Sequence, residues 1–307
     1  MVNRSRRERG VSLFRRRSST SIYGYGTIAP AVIVIALFTI YPFFYAISAS
    51  MRHLVLTMPY DQRFVGLGNF IEVVKSYYFF TSLKNTLVYM LSTLILVVIC
   101  GMTIALYLNS GLPGFNLVMI IILIPWAIPT VVAGITWKLI FHGSYGALNG
   151  ALYSLGIIEE YIAWLSNKYL AKAAVIIAHV WKETPLVAIL FLAGLKTIPG
   201  ELHEAAMIDG SSAFKSFFRI TVPFLKPIIL IVIVYESMVG LATFDLLYVM
   251  TGGGPGDATS LIGWFAYTET FSFLNIGHGA AVSLILALIL LAFIMLYLRL
   301  IRIEEMY

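Results

Sequence analysis

Two apolar stretches of this 307-residue chain carry polar side chains at helical spacing. His179, Lys182 and Glu183 stand at i, i+3 and i+4, with Trp181 beside them and Pro185 following. Glu236, Gly240 and Thr243 stand at i, i+4 and i+7 in the other. On helices, each set shares one face. A carboxylate there could accept two or more hydroxyl hydrogen bonds in charge-assisted geometry, which suits a polyol. The same charges could instead form inter-helix or inter-subunit pairs, because intramembrane ionisable groups serve both purposes. Catalysis has no comparable signal. The five histidines form no close pair to seat a metal, and nothing resembles a nucleophile–base pair. Thr251-Gly-Gly-Gly-Pro-Gly-Asp257 lacks the Gly-Lys-Ser/Thr ending of a phosphate-cradling loop, so it reads as a turn. The chain is expected to be no enzyme and to bind no cofactor or metal of its own.

The elements that would position these residues follow from composition. Hydrophobic residues make up 60% of the chain, charged residues 12%, and mean hydropathy is +0.89. A soluble domain carries about 25% charged residues, so this is an all-α integral membrane protein that cannot cover a water-facing globule. Cys100, the single cysteine, lies in an apolar run and supports no disulfide framework. A spanning helix needs about 20 apolar residues, which predicts six: 22–50, 86–108, 115–141, 171–195, 227–250 and 276–301. The turn-rich stretch Asn109-Ser-Gly-Leu-Pro-Gly114 separates the second from the third. Seven arginines within the first seventeen residues, from Arg4 to Arg17, form a basic cytoplasmic arm over residues 1–21. Anionic lipid accounts for that arm and for the net charge of +6, with no nucleic acid required. Six crossings put both termini in the cytoplasm, as Arg299 and Arg302 agree. Trp126, Trp137 and Trp164 read as interfacial anchors.

The segment from about 196 to 226 then also faces the cytoplasm, with Lys196, Lys215, Arg219 and Lys226. Pro199-Gly200 ends the fourth span, Glu201 to Asp209 are good helix formers, and Gly210 breaks that short helix. Ser211 or Ser212 can cap a second helix, on which Phe214, Phe217, Phe218 and Val222 form one apolar stripe. The pattern suggests a surface that docks another protein.

Glu204-Ala205-Ala206, then Gly210, then Ile220-Thr-Val-Pro223 resembles the EAA signature of binding-protein-dependent ABC importer permeases, with valine replacing the usual leucine before the proline. Phe64-Val-Gly-Leu-Gly-Asn-Phe70, Trp181-Lys-Glu-Thr-Pro185 and Tyr248-Val-Met-Thr-Gly-Gly-Gly-Pro255 resemble the carbohydrate branch, the MalF/UgpA-like permeases. The resemblance covers about Ile28 to Arg302. It implies a type I ABC importer fold over residues 22–307, in the cytoplasmic (inner) membrane. It also implies a second permease, two copies of an ATP-binding subunit that holds ATP and Mg, and an extracytoplasmic sugar-binding protein. Glu204, Ala205, Ala206, Asp209, Gly210, Ile220 and Pro223 would couple to the ATPase. His179, Lys182, Glu183, Leu186, Glu236, Val239, Gly240 and Thr243 would hold substrate, a sugar such as maltose or trehalose. Asp245 and Tyr248 fall near the outer mouth, as binding-protein contacts or solvated loop ends. Import of glycerol 3-phosphate or another polyol, and a secondary transporter, are the alternative readings.

Overall fold

A computed structural model describes residues 25–111 and 114–300. The basic arm, both chain termini, Arg302 and Leu112-Pro113 lie outside the described residues. Among the described residues four helices are long and apolar enough to cross a membrane: α1 (Tyr25–Ser50), α3 (Tyr77–Asn109), α7 (Lys168–Leu195) and α13 (Ile276–Leu300), the last preceded by the short α12 (Ile262–Tyr267). A short helix α2 (Gly68–Lys75) precedes α3, and α6 (Ala147–Ser154) precedes α7. Side-chain caps start the two central helices. Ser76 accepts from the Phe79 N–H at the head of α3, and Asn167 accepts from Tyr169 and Leu170 at the head of α7.

The expected third and fifth spans are not single helices, and the count is four unbroken spans, or six if each bent pair is one crossing. Phe115–Ala127 (α4) and Thr130–Ile140 (α5) meet at 100°. The cause is Pro129, which forces Ile128 into extended backbone (ψ 131°). The fifth span starts from Ala213–Phe224 (α9), bent by 71° against Lys226–Ala242 (α10). It ends at Ala242, eight residues short of its expected end, and resumes after Thr243-Phe244 as α11 (Asp245–Met250). The Thr243 hydroxyl donates to the Val239 carbonyl at 2.6 Å, a side-chain bond that competes with helix continuation.

Wide turns mark two further prolines. In α1 the Tyr41 N–H bonds back to Ala36, and in α9 the Val222 N–H bonds back to Phe217. Each donor sits immediately before a proline, Pro42 or Pro223. A proline ring clashes with the carbonyl four residues back, and the five-residue turn relieves that crowding.

Helix α7 is the centre of the fold: over half of its most apolar stretch is buried, while none of the most apolar stretch of α1 is. Exposed Ile, Val, Leu and Phe along α1 and α13 suit contact with lipid or another membrane chain. Helix α3 runs along α7, and Gly101 lets them approach: a Cβ there would lie 2.7 Å from Cγ1 of Val187. Val97, Val187, Phe191, Leu192 and Leu225 fill that seam. Trp137 and Trp164 are half-buried and pack on the core, stacked or tilted against Phe141. The Gly-rich turn is tied to α3 by Asn85, which donates to the carbonyls of Asp257 (2.8 Å) and Ser260 (3.2 Å).

Gly101→Leu should therefore force α3 from α7 and cost about 1–3 kcal/mol, the usual cost of overpacking. A lowered unfolding temperature of the detergent-purified protein is the expected readout, and an unchanged one would show that the helices are not in contact there.

Candidate functional site

The polar residues of α7 and α10 face one another across the break in each neighbouring helix. His179 and Glu236 are buried, with Nε2 of His179 3.3 Å from Oε2 of Glu236. The Tyr89 hydroxyl of α3 lies 2.9 Å from Nδ1 of the same ring. One proton arrangement satisfies both contacts: tyrosine donates to Nδ1 and Nε2–H donates to the carboxylate. Glu183 accepts from the Tyr235 hydroxyl at 3.0 Å and lies 3.6 Å from Nζ of Lys182. The charges expected to form either a pocket or helix pairs thus include an inter-helix pair, His179–Glu236, and an intra-helix pair, Lys182–Glu183.

Above this network lies a cavity of about 340 Å³, lined by His179, Lys182, Glu183, Val239, Thr243 and Asp245, among others. It opens where α5 begins, at Thr130, and where α10 ends, at Thr243. Of the eight sequence-derived substrate candidates, His179, Lys182, Glu183, Val239 and Thr243 line it. Leu186, Glu236 and Gly240 do not. Glu236 is buried behind His179, and Gly240 packs against Met90, where a Cβ would lie 3.3 Å from Cγ. Gly240 therefore serves the α3–α10 contact.

Asp245, placed near the mouth by the sequence, faces the cavity itself, and Oδ1 accepts from the Leu246 N–H at 2.9 Å. Thr130 and Phe244 also reach it, and Tyr89 and Tyr235 brace its floor. The sequence marked none of these four. Pro129 was the available signal for Thr130; the tyrosines lie on apolar helices and carry no local signal.

On the far side of the molecule, α8 (Gly200–Ile208) and α9 make the expected helix–turn–helix. The Ser211 N–H bonds to Ala206 and the Gly210 N–H to Met207, with Gly210 at φ +72°, a Schellman termination that demands a left-handed residue. Space around Gly210 is open, so backbone conformation and not crowding selects glycine. Ser212 caps α9 by accepting from Lys215, and Nδ1 of His203 reaches Oγ of Ser216 at 3.2 Å, clasping the two helices. Glu204, Ala205 and Asp209 are exposed; Ala206, Ile220 and Pro223 are half-buried. Of the expected apolar stripe, Phe214 and Phe218 are exposed, while Phe217 and Val222 are half-buried.

Residues 97–303 match the family described as the binding-protein-dependent transport system inner membrane component. The chain belongs to this family. It is 38% identical over 279 residues to the trehalose/maltose transport system permease protein MalF of Thermococcus litoralis, covering 90% of this chain and 92% of the relative. The sulfoquinovosyl glycerol permease SmoG of Agrobacterium fabrum is 34% identical, over 91% of this chain and 90% of the relative. The trehalose permease SugA of Mycobacterium tuberculosis is 32% identical, over 84% and 82%. A crystal structure of a bacterial ABC transporter involved in alginate import shares the fold, at TM-score 0.80 and 20% identity, over 94% of this chain and 97% of that one. The protein is thus a carbohydrate-type ABC importer permease and a multi-pass membrane protein.

Tyr89→Phe in this permease leaves Nδ1 of His179 as a buried acceptor without a partner, a loss of about 1–3 kcal/mol. Thermal unfolding of the purified protein should register it; equal stability would mean that the Tyr89–His179 contact carries no weight.

Proposed function

We propose that this chain is one of two permease subunits of an ATP-driven importer for a di- or oligosaccharide of the maltose or trehalose kind. The observation that carries the reading is the cavity between α7 and α10, polar on an otherwise apolar path. Its volume of about 340 Å³ lies in the range of small-molecule sites, roughly 300–1,000 Å³. His179, Lys182, Glu183, Thr243 and Asp245 offer donors and acceptors to hydroxyls. Val239, Phe244 and Leu246 supply apolar wall for a sugar ring. Two carboxylates, Glu183 and Asp245, face one ammonium, Lys182. That balance favours a neutral polyol over glycerol 3-phosphate, whose phosphate would meet a net negative wall.

An extracytoplasmic binding protein delivers the sugar, and two ATP-binding subunits, carrying ATP and Mg, drive alternating access. A fold relative crystallised with an alginate pentasaccharide-bound periplasmic protein supports the first partner. The exposed Leu202, Met207, Ile208, Phe214 and Phe218 around Glu204 support an apolar docking face for the second. That face joins the C-terminal end of α7 to the start of α10, the two helices that wall the cavity, so movement there reaches the sugar site directly. A secondary transporter has no use for such a face.

Glu204→Lys and Gly210→Val should both stop sugar uptake while the protein remains inserted. The first reverses an exposed contact charge; the second places a β-branched residue at positive φ, where such side chains are strained. Uptake and ATPase co-purification are measured together, and wild-type uptake in both variants would refute the docking assignment.

Orientation has its own test. Ser212→Cys should react only with reagents that enter the cytoplasm, whereas Tyr60→Cys, fully exposed between α1 and α2, should react with impermeant reagents outside. The reverse pattern would invert the topology.

A further inference from the structure

Three lysines converge where the positive-inside bias predicts few. On the orientation proposed above, the N-terminal ends of α3 and α7 and the Gly-rich turn all face outward. Between them lies a recess of about 420 Å³ lined by Lys84, Lys168 and Lys172. Asp257 is the one carboxylate in its wall, and none of the three lysines forms an ion pair among the described residues. Lys172 is held by a hydrogen bond from Nζ to Oδ1 of Asn85 (2.9 Å), and the Lys84 ammonium repels its charge. The Lys168 stem lies over Gly256. Like charges gathered around an open recess raise the energy of the empty site, and an anion relieves it.

We propose that this recess binds the phosphate of an anionic phospholipid at the outer membrane surface. Two features favour lipid as the source. Helix α3 has 33 residues, about 50 Å at 1.5 Å per residue, against a hydrocarbon core of about 30 Å. Its first turns, which carry Tyr77, Phe80 and Lys84, therefore stand at headgroup level. Tyr77, Phe80 and Tyr169 ring the recess with exposed aromatic side chains, the residue types that settle at a membrane–water interface. A headgroup phosphate would sit among the ammonium groups with its acyl chains along the apolar side of α3. The inference rests on the importer reading for its orientation alone.

The test uses the assembled transporter, reconstituted in vesicles of equal phosphatidylglycerol and phosphatidylcholine and then extracted for native mass spectrometry. Each lysine near a headgroup contributes about fivefold in affinity, so Lys168→Gln should weaken phosphatidylglycerol retention by about that factor. The triple change Lys84→Gln, Lys168→Gln and Lys172→Gln should weaken it on the order of a hundredfold. Phosphatidylcholine retention should be unchanged. Among the described residues the Lys168 ammonium makes no hydrogen bond, so its variant tests the site even where loss of the Lys172–Asn85 bond impairs folding. Equal phosphatidylglycerol retention in Lys168→Gln would overturn the proposal. So would stabilisation of the wild type by inorganic phosphate equal to that by the lipid, which would assign the site to free phosphate. So would unchanged lipid retention with weakened binding-protein affinity, which would assign the recess to an acidic protein surface. Co-purification of the ATPase with each variant is scored in parallel, so a failure of the importer reading shows itself separately.

Discussion

A charged group inside a bilayer has to find its partners within the protein, and that constraint organises this molecule. Glu236 is fully buried, ten residues along α10 from Lys226. Its carboxylate meets His179 on α7, whose ring meets Tyr89 on α3. One histidine therefore joins three helices. Leaving such a charge without its partner costs about 3–5 kcal/mol, comparable to truncating a large buried core side chain. The register of α3, α7 and α10 follows from this junction, and Gly101 and Gly240 supply the close backbone approaches that it requires.

The breaks in the helices answer a related constraint. Backbone N–H and C=O groups cannot be left bare in hydrocarbon, so irregular backbone at membrane depth survives only where protein or a cavity covers it. The turn at Ile128-Pro129 and the stop at Thr243 both open onto the same polar cavity. Thr243 satisfies part of the cost itself, with its hydroxyl and its N–H both on the Val239 carbonyl. Interruption and cavity are thus one feature: the helices stop where protein and an enclosed space cover the freed backbone groups.

The α8–α9 corner is continuous along the chain with both helices that wall that cavity. Four residues separate the end of α7 from the start of α8, and α9 leads through a 71° bend into α10. Gly210 and the His203–Ser216 contact hold α8 and α9 as one rigid corner.

Much of this was legible in the chain. Low charge and long apolar runs established a membrane-spanning helical protein, because no other solvent fits that composition. The Pro, Gly and Ser positions around residues 199–212 located the helix–turn–helix corner, because caps and left-handed turns are local and residue-specific. His179, Lys182, Glu183 and Thr243 stood out as polar groups in apolar surroundings. Tertiary structure decided which of them meet. Glu236 and Gly240 share a helix face with Thr243 in the sequence pattern, yet one lies behind His179 and the other against Met90. Asp245, Tyr89 and Tyr235 entered the site from elements whose sequence marks none of them as neighbours. Helical periodicity reports which residues share a face; it holds no information about which helix that face will meet, because the packing is set by contacts between residues as far apart as Tyr89 and His179.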